Sequence, residues 1–347
     1  MLIDVIIPVR NGGAWIADAI RSVQQDSAVI GKIFVIDDGS TDNSAAIVRD
    51  MGNDGKVVLV RQPESGLIAA LNSGLRMVTA PLVGRMDADD LSLPGRFEVQ
   101  ARFLQENPTI AVVGTQIAYI DARGALLRDR TSYPNDPDTV TNELFAGRCV
   151  VSHPSVTMRR EVIVDLGGYR GAFKAAEDYD LWLRVAERGQ IANLPQIYLH
   201  YRRHETQVGE LHKIRQSFSR DLSLLCSRER RKGGCDPLAE SSAPPLFDPN
   251  DPAFRGKPEI FADLARAYRA VDSMRVGDDV HPSDLSFIPR LAKLNLLGEG
   301  RRTRKKILRK ALDLSLRNHD WTIAWSTVQC LLYLMGRHRV RKCRPLV

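Results

Sequence analysis

Residues 2–42 read LIDVIIPVRNGGAWIADAIRSVQQDSAVIGKIFVIDDGSTD, and their pattern decides the fold. LIDVIIPV (2–9) and KIFVID (32–37) are short, almost continuous apolar runs rich in Val and Ile. Strands buried on both faces look like this. Between them, Ala14–Gln25 carries apolar residues at helical spacing. The unit repeats outward: KVVLVR (56–61), PLVGRMD (81–87) and IAVVGTQI (110–117) read as strands, with helices over Asn43–Met51, Ser65–Val78 and Leu93–Glu106. Such alternation predicts an α/β fold whose largely parallel, twisted sheet has helices on both faces. Open sheets of this kind bind ligands outside the carboxyl ends of their strands. The residues at those ends are therefore the functional candidates.

Past residue 117 the alternation loosens. Tyr119–Leu127, Ser155–Arg159 and Gln196–Tyr201 read as strands and Asp180–Arg188 as a helix. Six prolines and the Gly233-Gly234 pair between Arg231 and Pro258 mark a linker or long loop, after which the pattern is helical. No repeat of fixed period is present.

At 347 residues the chain has room for one large domain with an appendage, or for two domains. Its charge is uneven. Residues 1–200 hold 20 Lys and Arg against 25 Asp and Glu, a net of −5, whereas residues 201–347 hold 29 against 17, a net of +12. That asymmetry points to an anionic partner for the back half, while an acidic front half argues against nucleic acid. The five cysteines have no CxxC spacing, so neither a disulfide framework nor a zinc cluster is indicated. Free thiols suit a reducing cytosol. MLIDVIIPVR places Asp4 inside its first apolar run, unlike a signal peptide. The apolar stretch Trp321–Gly336 is 16 residues long, short of the roughly 20 that span a bilayer. A soluble or peripheral protein is expected.

Strand one ends in Pro8-Val9-Arg10-Asn11-Gly12-Gly13, which fits neither phosphate-binding glycine motif. Strand two ends in Asp37-Asp38-Gly39-Ser40-Thr41-Asp42. This reads either as a turn with a helix cap or, through Asp38, as an acceptor for the imide N–H of a base such as uracil. Strand four ends in Arg85-Met86-Asp87-Ala88-Asp89-Asp90. Asp90 could cap the following helix. Three acids within four residues repel one another, and a cation held by Asp87 and Asp89, which share a side in extended chain, would relieve this. Mg²⁺ and Mn²⁺ prefer such oxygen ligands. Ala175-Ala176-Glu177-Asp178-Tyr179-Asp180 opens a helix after Gly167-Gly168. There Asp180 and Arg184 suit a surface i,i+4 pair, and one acid could serve as a general base.

In combination and in order, VIIPVRNGG, VIDDGSTD, SGLIAALNSGL, RMDADD, SHPSVTMRR, GGYR, AEDYDLWLR and YRRH resemble the family 2 glycosyltransferases, which have the GT-A fold. The resemblance runs from the first strand to about Gly209. It implies an inverting, metal-dependent transfer of one sugar from a nucleoside-diphosphate sugar, UDP favoured, to a hydroxyl of a glycan or lipid-linked acceptor. Asp38 would bind the base, with Pro8 and Arg10 lining its pocket. Asp87 and Asp89 would form the DxD pair, and Asp89 with His204 would hold Mg²⁺ or Mn²⁺. Asp178 would be the catalytic base. Gly168, Glu177 and His153 would lie on the acceptor side. The implied organisation is a catalytic domain at 1–220, with a nucleotide-sugar half at 1–115 and an acceptor half at 116–220. A helix end and linker at 221–258 and a basic helical region at 259–347 follow.

Processive relatives carry Q-x-x-R-W, but no tryptophan here follows an arginine. One sugar per encounter is expected, as in assembly of surface polysaccharide. A sugar-phosphate nucleotidyltransferase is the rival enzyme, although Arg10-Asn11-Gly12-Gly13 poorly matches its glycine-rich loop. A non-catalytic membrane or polyanion scaffold is the rival of another class, and it leaves the acids without purpose. Residues 301–347 hold 13 Lys and Arg against two acids around an apolar stretch with two tryptophans. That pattern suits a helix lying on an anionic membrane at the inner face of the cell, or equally one packed on the protein itself.

Overall fold

The computed structural model describes residues 2–52, 55–204, 210–276, 278, 280–298 and 300–334. The chain divides into two compact units, Met1–Gly209 and Glu210–Val347. The boundary expected at 220 lies inside a continuous helix, Glu210–Arg231.

The first unit begins with the expected alternation: β1 (Ile3–Val9), α1 (Ile16–Gln24), β2 (Ile30–Asp38), α2 (Ser44–Met51), β3 (Val57–Gln62), α3 (Leu67–Met77) and β4 (Leu82–Arg85). Strands β3, β2, β1 and β4 lie side by side in that order and are all parallel. Both faces of this sheet are covered, so β1 is buried along its whole length. Ile3, Val5, Ile7 and Val9 share one core with Ile16, Ile20 and Val23 of α1. On the opposite face Ile6 meets α3 so closely that a Cβ on Gly74 would lie 2.5 Å from it.

The other half of the first unit is mixed. A two-residue strand β5 (Leu91–Ser92) precedes α4 (Arg96–Glu106) and the long β6 (Ile110–Ile120). Then come β7 (Leu126–Arg130), α5 (Pro137–Phe145), β8 (Thr157–Arg159), α6 (Arg160–Asp165), α7 (Glu177–Ala186) and β9 (Gln190–Arg202). The sheet continues from β4 through β8, β6 and β9 to β5, with β7 hydrogen-bonded to β6. Here β8 is antiparallel to both neighbours, while β6 and β9 are parallel. The single strand expected over Tyr119–Leu127 is instead the turn of a hairpin. Asp121 Oδ1 accepts from Arg123 N and Ala125 N at 2.8 and 2.9 Å, and Gly124 supplies a φ of +90°.

Asp90 does not cap α4. That work falls to Asp26, whose two carboxylate oxygens accept from Gly95 N at 2.7 Å and Phe97 N at 2.8 Å. Asp180 and Arg184 are likewise no surface pair. Asp180 is fully buried and shared by Arg170 and Arg184, while Arg184 also donates to the Leu166 and Gly168 carbonyls at 2.7 Å.

The second unit contains α8 (Glu210–Arg231), α9 (Glu259–Val276), α10 (Pro282–Leu285), α11 (Phe287–Lys293), α12 (Gly300–Arg317) and α13 (Trp321–Leu334). Among the described residues no helix is long and apolar enough to cross a membrane. Cys149, Cys226, Cys235 and Cys330 are free thiols. Met335, Gly336, the basic run Arg337–Arg344 and its Cys343 lie outside the described residues.

Asp26→Ala strips the cap from α4 and leaves two N–H groups without acceptors in a mostly buried spot. We expect a loss of about 1–2 kcal/mol, read as a lower midpoint in urea-induced unfolding of the first unit.

Candidate active site

The loops after β1, β2 and β4 all leave the same sheet edge, as parallel order requires. The first two are knitted together. Asn11, at φ +53°, donates its N–H to Ser40 Oγ at 3.0 Å and accepts from Thr41 N at 2.8 Å. Gly12 N donates to Ser44 Oγ and Gly13 N to Asp42 Oδ2, both at 2.9 Å.

Asp37 is a staple, accepting from Ser40 N at 2.9 Å and Arg61 Nε at 3.0 Å. Asp38, 4% exposed, accepts from Gln62 Nε2, Ser65 N and Gly66 N, each at 2.8 Å. Two of these bonds fall on Oδ1 and one on Oδ2, so one acceptor position remains on Oδ2. Pro8 is buried at the end of β1, and the exposed Arg10 pairs with Glu64 at 2.5 Å.

At the end of β4, Arg85 is buried and grips Asp87 with both guanidinium ends, at 2.6 and 2.8 Å. The backbone of the acid loop is held from β9: Arg202 N donates to Asp90 Oδ1 at 2.9 Å and Arg202 Nε to the Asp89 carbonyl at 2.7 Å. Asp89 Oδ2 lies 2.8 Å from His204 Nε2, whose ring stacks on Trp15 at 4.5 Å between centroids. Asp87, Asp89 and Asp90 offer carboxylate oxygens within 4.8 Å of one another. Burial pushes Asp90 well above the usual carboxylate range and Asp87 also upward. The neighbouring acids push both the same way, while Arg85 pulls back. Among the described residues, Asp90 Oδ2 is buried with no hydrogen-bond partner. Crowded oxygens, raised acids and an orphaned lone pair fit a divalent cation with oxygen donors, and Asp89 and His204 are close enough to share it.

A cleft of about 360 Å³ adjoins this cluster, lined by Arg85, Asp87, His153, Asp178 and Tyr201 among others. The sheet thus brings together Asp87, His153 and Asp178 from three separate motifs. Asp178 stands in the first turn of α7 beside Glu177, straight after Ala175 at φ +70°. Such a backbone is strained for alanine and marks a position held for geometry. Burial raises Asp178 above the usual aspartate value, against the pull of Arg85. Glu177 is buried more deeply, and burial with the neighbouring Asp178 pushes it to about 7. His153 lies 2.8 Å from the Tyr169 hydroxyl, edge-on to Trp182. Burial, reinforced by Arg85, lowers it well below the ordinary histidine value, so it is a neutral imidazole.

Gly168 shapes the wall rather than touching the cleft. Its φ is +68°, and a Cβ there would lie 2.6 Å from Asn72 Oδ1. Asn72 clamps the next residue, accepting from Tyr169 N at 2.9 Å and donating to the Tyr169 carbonyl at 2.8 Å. Sequence reasoning missed Arg85, Trp15, Tyr169, Tyr201 and Arg202. Apart from Trp15 they stand inside the quoted motifs RMDADD, GGYR and YRRH, so the motif positions were a signal although the roles were not.

A parallel nucleotide-binding half, a mixed half beside it, and acids where a phosphate loop would otherwise stand define a glycosyltransferase of the GT-A fold. The chain belongs to glycosyltransferase family 2. The model of that family, Glycosyl transferase family 2, matches residues 4–167. The putative glycosyltransferase EpsE of Bacillus subtilis is 30% identical over 192 residues, 54% of this chain and 67% of that protein. The amylovoran biosynthesis glycosyltransferase AmsE of Erwinia amylovora is 28% identical over 194 residues, 55% and 71% of the two chains. The O-antigen biosynthesis glycosyltransferase WbnJ of Escherichia coli is 28% identical over 210 residues, 58% and 80%. Among solved structures, S. aureus TarS 1-349 in complex with UDP-GlcNAc superposes with a TM-score of 0.59 at 14% identity, covering 98% of this chain and 93% of that one. That likeness is one of fold.

Gly168→Ala forces a side chain into the left-handed region and against Asn72. We expect a loss of more than about 1 kcal/mol in thermal or urea unfolding, with the Gly168→Ala/Asn72→Ala double variant losing less than the sum of the two single variants because the clash is then counted once.

Proposed function

We propose that the chain moves a single sugar from a UDP-sugar to a hydroxyl of a glycan or lipid-linked acceptor, with inversion, in the synthesis of a cell-surface polysaccharide. The observation that carries this reading is the cleft in which Asp87, at the end of β4, and Asp178, at the start of α7, face the same space around Arg85. The relatives named for amylovoran and O-antigen biosynthesis support the polysaccharide setting, and the UDP-GlcNAc bound to TarS supports the donor class.

In this reading Asp38 uses its remaining Oδ2 position to accept the base imide N–H, and Pro8 and Arg10 border that pocket. Asp87 and Asp89 face ribose and diphosphate. Asp89 and His204 hold Mg²⁺ or Mn²⁺, which when bound supplies a Lewis acid for the charge building on the leaving diphosphate. Asp178 takes the proton of the attacking acceptor hydroxyl. Its raised affinity for a proton, caused by burial, makes it a better base than an exposed aspartate. Attack opposite the leaving group inverts the anomeric carbon in one step and needs no enzyme nucleophile. His153 and Glu177 border the acceptor, and the Gly168 turn keeps their wall in place. The enzyme works in the cytoplasm at the inner membrane face. The second unit supports that setting through an exposed stripe on α13, where Trp321, Trp325 and Tyr333 are 66%, 65% and 59% exposed. Aromatic rings with one polar edge favour the headgroup layer.

The test is transfer from UDP-sugars to a lipid-linked glycan with Mn²⁺ or Mg²⁺. Chelation and Asp89→Ala should each abolish turnover while circular dichroism stays unchanged, and full turnover in excess chelator would falsify the metal assignment. Pyrophosphate release from a sugar-1-phosphate and a nucleoside triphosphate would instead place the chain among nucleotidyltransferases.

Asp178→Asn should lower kcat by about 10²–10⁴-fold, the usual worth of a general base, with UDP affinity nearly unchanged by calorimetry. Near-normal turnover in the variant would move the base to Glu177. Because Asp178 works as its anion and burial raises its pKa, activity should fall as pH drops through a midpoint above the ordinary aspartate value of about 3.9. A kcat profile flat to about pH 4 contradicts this.

A further inference from the structure

A cavity of the second unit, about 1030 Å³, lies among α8, α9 and α12 and plays no part in the chemistry above. Seven Lys and Arg side chains line it and, among the described residues, no carboxylate does. Five of the seven come from α12: Arg302, Lys305, Lys306, Arg309 and Lys310. Their spacing, i, i+3, i+4, i+7 and i+8, is the one a helix normally reserves for its apolar stripe. The core-facing side of α12 is another face, with Arg304, Leu308, Ala311 and Ser315 buried. An ordinary solvated helix interleaves acids with its bases. Here like charges stack at i,i+3 and i,i+4, each pair costing a few tenths of a kcal/mol. Arg302 also stands in the first turn of the helix, where the backbone dipole disfavours cations.

Apolar side chains, including Ile214, Val271, Met274 and Ile307, line the same cavity. Its rim is set firmly. Leu297 and Gly298 adopt φ of +67° and +89°, and both N–H groups donate to the buried Asp221 at 2.5 and 3.3 Å. A left-handed leucine is strained and persists only where its surroundings hold it. A soluble polyphosphate or a nucleic acid would leave the apolar lining unused, and a neutral lipid would offer no charge to the five cations of α12. We infer that this groove binds an anionic phospholipid, its phosphate against the Arg302, Lys306 and Arg309 face and its first chain methylenes on the apolar lining. The inference deepens the membrane-contact reading of the second unit and is tested separately from it.

The test uses the full chain and short-chain lipids kept below their micelle concentration, so that no membrane surface is present. Calorimetry at about 0.15 M salt should detect dihexanoyl-phosphatidylglycerol, with dihexanoyl-phosphatidylcholine and inorganic phosphate each at least about 10-fold weaker. Lys306→Glu with Arg309→Glu should weaken phosphatidylglycerol binding by at least about 10-fold. The same pair should leave the melting temperature unchanged or higher, because acids among these bases relieve repulsion. Binding that is unchanged in the double variant overturns the proposal. So does phosphate binding as tightly as the lipid, or an oligonucleotide binding more tightly. Sedimentation with phosphatidylglycerol vesicles, comparing the full chain with Trp321→Ser/Trp325→Ser, tests membrane contact independently. Lipid binding without vesicle binding sinks the contact reading and spares the groove.

Discussion

The buried guanidinium of Arg85 is the constraint on which the site depends. It stands at the last position of β4, 3% exposed, with four acids of the DADD and ED motifs around it. A carboxylate taken out of water costs several kcal/mol unless compensated, and the loop after β4 carries three in four residues. The fork from Arg85 to Asp87 fixes one of them, and the same charge helps keep Asp178 anionic and His153 neutral. One cation thus acts on three groups, although burial is the larger influence on each. Among the described residues its Nε is itself buried without a partner, as is Asp90 Oδ2. The site has been built with unmet polar groups, which a site made only for stability would avoid.

Elsewhere in the first unit, carboxylates serve as staples. Asp4 accepts from Lys32 N, Thr79 N and Ala80 N, tying β1 to the segments that lead into its neighbours. Asp26 caps α4, Asp42 joins the first two loops, and Asp180 is shared by two arginines. Each of these accepts bonds only from its own chain. The acids around Arg85 differ, because their repulsion is only partly offset by protein groups. That contrast, more than the presence of acids, separates chemistry from architecture here.

The parallel half was legible because strands covered on both faces must be apolar at nearly every position, and Ile3–Val9 is apolar at all but Asp4, whose carboxylate is met by three backbone N–H groups. The mixed half was less so. β5 has only two residues, and its pairing of Leu91 with His200 depends on a strand more than a hundred residues away. The hairpin at Asp121–Ala125 hinged on one Asx turn, with Arg123 and Gly124 beside it, between two short apolar runs. Asp180 and Arg184 read as a helix-surface pair because i,i+4 spacing says nothing about depth, nor about Arg170, which shares the buried Asp180.

Sequence alone determined the alternation, the acids at the strand ends and the family, because hydrophobic period and ordered motifs are properties of the chain itself. Only tertiary structure decided which acids act as staples and which crowd around one cation. It also placed His204 against Asp89, set Asp178 across a cleft from Asp87, and turned a basic stripe of α12 toward a cavity. Those outcomes depend on distances between residues far apart in the chain. Charge, burial and proton affinity are set by those distances and by the loss of water, and neither is written in local order.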